Sequence, residues 1–268
     1  MKTRRLFARL AAWLLLAVLA LCALAPGLLA PGDPLAIDPA AAFTPPNLTH
    51  LAGTDESGRD VLTRIVHGAR PSLVIGLAAT GLGMGLALIL GTAAALAPRW
   101  LDGMLLRLLD ALYAIPSLLM ALLIIALTGP GVGPAIIAVG LSTAPGYARI
   151  VRTQIRTLKD SAMIEAATVL GRTGIQRTVH HLLPNALRPL LALVTLGIGQ
   201  AVIWASALSF LGLGTAPPAP EWGAMLAAGR TYLHLAWWMS LFPGLAIVLV
   251  AAGATAIGRA LGGKVRAL

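Results

Sequence analysis

Residues 163–190 read MIEAATVLGRTGIQRTVHHLLPNALRPL. The stretch carries one Glu, three Arg, a pair of adjacent His, two Gly and two Pro, and long apolar runs stand on both sides of it. Met163 to Leu170 suits a short helix, since Glu165, Ala166, Ala167 and Leu170 are good helix formers. Gly171 ends it by accepting a left-handed conformation, and Gly174 loosens the turn. A second helical run, Ile175 to Leu183, is predicted to stop before Pro184, and Pro184 and Pro189 mark the start of the next apolar run. The predicted product is a helix-turn-helix elbow standing out from an apolar body. Ala166 and Ala167 leave a face that another protein can approach, and Arg172 and Arg177 supply charge.

The composition says what that body is. The chain has 268 residues, 58% hydrophobic and 11% charged, with a mean hydropathy of +0.85. A soluble domain sits nearer roughly 45–50% apolar and about 25% charged. The surplus marks an all-α integral membrane protein, because lipid offers backbone groups no partners and each span must be helical. A span needs about 20 mostly apolar residues, and six runs qualify: 10–29, 72–97, 104–127, 133–150, 187–211 and 236–261. The net charge of +10 reads as basic inner loops, not as a nucleic-acid surface. With the N-terminus inside, the inner side holds Lys2, Arg4, Arg5, Arg9, Arg99, Arg107, Arg149, Arg152, Arg156, Lys159, Arg172, Arg177, Arg188, Arg259, Lys264 and Arg266, which is 16 of the 20 Lys and Arg. Only Arg59, Arg64, Arg70 and Arg230 fall outside. This positive-inside bias predicts six spans, both termini inside, and the elbow in the cytoplasm.

The N-terminus has the look of a signal peptide: basic residues, an apolar run, then Ala23-Leu24-Ala25. Pro26 disfavours cleavage there, so an uncleaved first helix is expected. Two outer segments exceed turn length, 30–71 with GTDESGRDVLTRIVHGAR and 212–235 with GLGTAPPAPEWGAMLAAGRTYLHL. Each has Gly and Pro punctuation before a short amphipathic run, which reads as loops with interfacial helices or as a docking face. The expected organisation is 1–71, a first helix with its outer segment, followed by 72–268, a core of five spans with the elbow at 163–186.

The sequence offers no energy source of its own. Ion coupling usually leaves ionisable residues within spans, and here they are nearly clean. Asp110 is expected to pair with Arg107 at i−3. His180 and His181 point about 100° apart on a helix, poor for one metal, and the single Cys22 rules out a disulfide or a Cys cage. No metal site is expected. Gly258 to Lys264 fits the first part of G-x-x-x-x-G-K, but Val265 stands where Ser or Thr should bind Mg, and no strand precedes it. Gly81 and Gly85 form a G-x-x-x-G pair whose default meaning is close helix packing. The chain either conducts passively or is driven by contact.

The spacing Glu165-Ala166-Ala167, Gly171, Leu183-Pro184 resembles the EAA signature of permease subunits in bacterial ABC importers. GTDESGRD at 53–60, HGARPSLVIGL at 67–77, AIPSLLMAL at 114–122, PGYARIVR at 145–152, LSFLGLG at 208–214, EWGAML at 221–226 and LFPGLAI at 241–247 resemble the dipeptide/oligopeptide/nickel branch, in that order along nearly the whole chain. Two positions depart: His181 stands where the signature commonly has Ile, and the tail GRALGGKVRAL is basic where relatives often end acidic.

The resemblance implies the type I importer permease fold in the bacterial inner membrane. It implies a second homologous permease beside this one, two cytoplasmic ATPases, and a periplasmic or lipid-anchored binding protein. ATP and Mg would bind at the ATPases, and no cofactor at this chain. Glu165, Ala166, Ala167, Gly171, Leu183 and Pro184 would couple to an ATPase by seating the short helix in a groove. Gly53, Thr54, Asp55, Gly58, Arg59 and Asp60 would order the outer face towards a partner. Gln200, Trp204, Ser206 and Ser209 are candidates to line the pathway. The mechanism would be alternating access, with ATP binding separating the two states in free energy. Di- or oligopeptides are the expected substrates, with nickel or a metal chelate as the alternative. A self-contained channel or ion-coupled carrier is the competing class; a membrane-embedded enzyme lacks any clustered acid, base or ligand set.

Overall fold

A computed structural model describes residues 2–265 of the chain, with side chains described for all of these except 2–12, 188 and 261–265. The charges expected inside at Lys2, Arg4, Arg5, Arg9, Arg188, Lys264 and Arg266 therefore lie outside the described side chains, as does the basic tail from residue 261 on. Described elements are helical throughout: α1 (Lys2–Leu24), α2 (Pro26–Leu29), α3 (Val61–Leu96), α4 (Arg99–Ala114), α5 (Ser117–Thr128), α6 (Val132–Lys159), α7 (Ala162–Val169), α8 (Gly174–Arg177), a π-helical turn at Thr178–Leu182, α9 (Leu183–Phe210), α10 (Trp222–Arg230) and α11 (Trp238–Val265). The backbone of 258–264 lies within α11, so the phosphate-loop look-alike is helix and cannot cradle a phosphate.

Among the described residues four helices are long and apolar enough to cross a membrane, α3, α6, α9 from Pro189, and α11, whereas the expected first span is described only as the shorter apolar stretch Trp13–Leu24. The α4–α5 pair is a fifth candidate, bent by 89°. The single straight span expected over 104–127 is therefore two helices. The break falls at Ile115-Pro116, where the proline ring pushes the preceding residue out of helical geometry; Ile115 sits at φ −77°, ψ 124°. The expected division at 71/72 also falls inside one helix. Asp60 caps α3, accepting from the Thr63 backbone N–H at 2.7 Å, and the helix runs on through Pro71 for 36 residues. At 1.5 Å per residue that is about 54 Å, well beyond the ~30 Å hydrocarbon core.

α3 is the mast of the molecule, packed most extensively on α6. The seam is made of small residues. A Cβ on Gly83 would stand 2.9 Å from the Gly140 carbonyl oxygen, and one on Gly91 would stand 2.6 Å from the Ala148 carbonyl oxygen. Ala87, Ala144 and Ala148 fill the intervening turns, buried. Close backbone approach is how helices associate where no hydrophobic force acts between them. Gly81 and Gly85 have nothing within 4 Å of where a Cβ would stand. Each is two residues from Gly83, and so lies about 200° around the helix from the seam. Their spacing therefore carries no packing among the described residues.

Three apolar clusters stack along α3. The first joins Val61 and Ala69 to Trp222, Trp238 and Met239. The second joins Ile75 and Ala79 to Ala138, Val139 and Leu208. The third joins Ala87 and Ala95 to Ile155, Ile164 and Leu182. The outer segment therefore roots in the first cluster, and the elbow in the third.

Candidate functional site

The elbow follows α6 after two residues. Asp160 closes α6, Ser161 opens α7, and the Ser161 hydroxyl donates to the Leu158 carbonyl at 2.6 Å. α7 ends in a full left-handed cap. Gly171 sits at φ +74°, its N–H donates to the Thr168 carbonyl at 3.0 Å, and the Arg172 N–H donates to the Ala167 carbonyl at 3.1 Å. These two bonds satisfy carbonyls that the helix end would otherwise leave open. Thr173 then starts α8 with a capping box: its hydroxyl accepts from the Gln176 N–H at 3.3 Å, and its own N–H donates to the Gln176 side chain at 3.1 Å. Arg177 reaches back to donate to the Thr168 hydroxyl at 2.5 Å, tying α8 to α7.

Two details differ from the sequence expectation. The chain does not leave the helix before Pro184. It passes through the π turn at Thr178–Leu182, where the Leu183 N–H bonds to the Thr178 carbonyl, and Pro184 falls in the first turn of α9. A widened turn accommodates the missing N–H of proline. Leu183 is half-buried and Pro184 exposed. Nor do both alanines face outward. Ala167 is 4% exposed and packs inward beside Ile164, whereas Glu165 and Ala166 stay exposed. Residues three apart share a helix face, so Ile164 and Ala167 point to the core and Ala166 to the outside.

The surface thus presented holds residues that sequence reasoning passed over. Val169, Leu170 and Ile175, which flank Gly171 in sequence, are 84%, 79% and 78% exposed. Large apolar side chains left exposed on both sides of a helix cap mark a contact surface. Glu165, Ala166 and Arg172 are exposed as well. The signal was present in the sequence as two apolar residues directly before the cap glycine.

A set of ion pairs braces the root of the elbow, and it too was unread. Asp102 of α4, 5% exposed, accepts two bonds from Arg152 of α6 at 2.6 and 2.7 Å and one contact from Arg156 at 3.0 Å. Asp110, expected to pair with Arg107 within its own helix, pairs instead with Arg149 of α6 at 3.3 Å. Arg149 also stands over the Tyr113 ring at 5.3 Å. Asp102 and Asp110 are eight residues apart on α4, and Arg149, Arg152 and Arg156 share a face of α6. Two acids and three bases thus pin α4 along the last turns of the helix that leads into α7. The i, i+3, i+7 spacing of the arginines could have disclosed the face; the partner helix could not be known from spacing.

At the opposite end, GTDESGRD forms a compact buried knot. A β-bridge joins Thr54 to Asp60, and Gly53 and Gly58 take φ +73° and +75°. A Cβ on Gly58 would overlap the Asp38 carbonyl oxygen. Asp55 accepts from the backbone N–H groups of Ser57 and Arg59 and from the Arg59 side chain at 2.7 Å, with Arg64 at 3.5 Å. Arg59 also donates to Glu56 at 2.6 Å, and Asp60 pairs with His50 at 2.9 Å. Arg64 donates to the carbonyls of Pro34 and Pro218, and Trp238 to that of Thr54. The knot therefore fastens residues 34–60 to α3, α11 and the second outer segment. In that segment Glu221, 1% exposed, caps α10 through the N–H groups of Gly223 and Ala224 and accepts from Ser72.

Asp55 and Arg59 are 5% and 8% exposed, which makes this a structural knot rather than a solvated loop. Asp55→Ala leaves the buried Arg64 without a carboxylate and Arg59 with Glu56 alone, a loss of about 3–5 kcal/mol. The expected result is an earlier thermal unfolding of the purified protein and new protease cleavage within 34–60, with Asp55→Asn milder because it keeps a backbone acceptor. An unchanged melting profile and digest in Asp55→Ala would show that the knot does not hold the cap.

The four candidates on α9 separate. Gln200 is exposed and Trp204 half-buried against the middle cluster. Ser206 and Ser209 are buried where α9 meets α10, with a Cβ on Gly223 reaching within 2.7 Å of Ser209 Cβ. They belong to a packed joint, not to an open wall.

The sequence profile described as "binding-protein-dependent transport system inner membrane component" matches residues 83–267. The dipeptide transport system permease protein DppC of Alkalihalophilus pseudofirmus is 42% identical over 229 residues, 84% of this chain and 74% of that protein. The di/tripeptide transport system permease protein DppC of Pseudomonas aeruginosa is 41% identical over 199 residues, 74% of this chain and 66% of that protein. Among solved structures, the MetNI methionine ABC transporter in inward facing conformations superposes with a TM-score of 0.58 at 21% identity, over 74% of this chain and 96% of that one. That likeness places the fold among type I importer permeases.

Proposed function

Because this chain belongs to the family of binding-protein-dependent transport system inner membrane components, we propose that it forms half of a translocation pathway for di- or oligopeptides. The chain is a multi-pass inner-membrane component. A second homologous permease supplies the other half, a periplasmic or lipid-anchored binding protein delivers substrate, and two ATPases holding ATP and Mg drive alternating access. This chain binds no cofactor and hydrolyses nothing. The observation that carries the reading is the elbow. Its exposed apolar tip at Val169, Leu170 and Ile175 is fixed by paired caps, and its inner face is continuous with the third core cluster. A force applied at the tip therefore reaches α6 and α9. The peptide assignment is supported by the names of the relatives, and no observation favours nickel or a chelate.

The test is reconstitution of the assembled transporter into liposomes with its binding protein. Expected is ATP-dependent uptake of labelled dipeptide that stops when the ATPases are omitted. Transport by this chain alone would establish a channel or carrier, and uptake of nickel in place of peptide would move the substrate assignment.

We infer the orientation from the sequence, in which the expected spans put 16 of the 20 Lys and Arg on one side. Both termini and the elbow then face the cytoplasm. In a Cys22→Ala background, single cysteines at Asn47 and Ala216 are expected to react with a membrane-impermeant thiol reagent in intact cells, and one at Asp160 to react only after permeabilisation. Labelling at Asp160 from outside would invert the topology.

A further inference from the structure

We propose that the groove between α1, α3, α9 and α11 is a binding site for one anionic phospholipid, its acyl chains in the groove and its phosphate on Arg70. The groove is a cavity of about 610 Å³ whose lining is apolar apart from Arg70 and Thr195. Thr195 is already spoken for, its hydroxyl donating to the Ala192 carbonyl at 2.8 Å. The volume lies within the roughly 300–1,000 Å³ typical of small-molecule sites.

The two ends of the groove differ in chemistry. Leu24, the last residue of α1, and Arg70, in the third turn of α3, lie towards the end that carries the GTDESGRD knot. Leu73 and Leu77 follow Arg70 down α3, and Ile198 and Ile257 line the deeper part. From Arg70 to Leu77 is about 10 Å along the helix, comparable with the ~15 Å depth of one leaflet's hydrocarbon. A charge at the rim with an apolar slot running inward from it is the outline of a lipid.

The charge is also free for such a ligand. Arg64 and His67 precede Arg70 on α3, and both are committed to backbone carbonyls, Arg64 to Pro34 and Pro218, and His67 to Ala30 at 3.1 Å. Arg70 is exposed, and among the described residues no carboxylate lies within salt-bridge distance of it and no side-chain hydrogen bond involves it. A guanidinium at a membrane edge with no protein partner is matched by a phosphate of net negative charge.

Native mass spectrometry on the complete transporter tests this. After delipidation, phosphatidylglycerol or phosphatidylcholine is titrated back. Expected is one phosphatidylglycerol retained per copy of this chain ahead of the general lipid population. Arg70→Gln weakens that retention about tenfold, the loss of one charge-assisted contact, and leaves phosphatidylcholine unchanged. Ala23→Phe, which fills the groove without touching the charge, removes retention of both. A benzophenone side chain at Leu77 should cross-link to phospholipid. Equal retention of the two lipids, wild-type retention by Arg70→Gln, or cross-linking of Leu77 to a protein partner overturns the proposal.

Discussion

Replacing Gly171 with Val is expected to abolish coupled uptake while leaving the chain inserted and folded. Gly171 holds φ +74°, a conformation that costs a β-branched residue about 1–3 kcal/mol. Nothing lies within 4 Å of where its Cβ would stand, so the penalty is backbone strain and not collision. The cap bonds from Gly171 to Thr168 and from Arg172 to Ala167 hold only while that conformation persists. Strain of this size reduces the population of the capped elbow roughly 5- to 150-fold, and the exposed Val169, Leu170 and Ile175 lose their fixed positions. Gly171→Asn is the control, since Asn tolerates the left-handed region, and it should keep most of the uptake. Leu170→Asp is the complement: it leaves the turn intact and spoils the apolar tip. Membrane amount, ATPase co-purification and peptide uptake are measured together. Glu165→Lys, which reverses charge on the same exposed face, should behave like Leu170→Asp. Normal uptake in both Gly171→Val and Leu170→Asp would mean that the elbow merely connects two helices.

The second large effect is expected from Asp102→Ala. Asp102 accepts three contacts from Arg152 and Arg156, and its removal leaves Arg152, 14% exposed at the side chain, with only the more distant Asp110 as counter-charge. Losing one partner of a largely buried pair costs about 3–5 kcal/mol, with the more exposed Arg156 contributing little. Melting of the assembled transporter should fall by several degrees. ATP hydrolysis should continue with a weakened response to loaded binding protein, because α4 no longer braces the end of α6 that feeds α7. Asp102→Glu restores a carboxylate and should recover part of both readouts. If Asp102→Ala lowered neither stability nor coupling, the brace would be a surface pair without consequence. Asp110→Ala serves as the internal comparison: it breaks the half-exposed contact with Arg149 and should cost less than about 1 kcal/mol.

Much of this was legible in the order of residues. Most of the apolar runs of span length and the Gly171 cap are local, and each reports on a backbone that has few alternatives in lipid. The elbow was readable because its stop signal is a glycine that does one conformational job. What sequence could not supply was the identity of partners across space. Gly81 and Gly85 have the spacing of a packing motif, yet Gly83 and Gly91 make the seam, because rotation of α3 about its axis is set by α6 and not by α3 itself. Asp110 had a suitable arginine in its own helix and took Arg149 instead, because the bend at Pro116 lays α4 against α6. Ala166 and Ala167 are identical in type and adjacent in chain, and only the inner cluster decides which one is buried. Pro184 reads as a helix stop and is absorbed by a π turn that only the run-on into α9 requires. Local chemistry determined which segments are helix and cap, while the outer knot depends on partners such as Pro218 and Trp238 that lie far away in sequence. Tertiary packing decided which face of each helix is used, since that choice is made by the shapes and charges of neighbours distant in sequence.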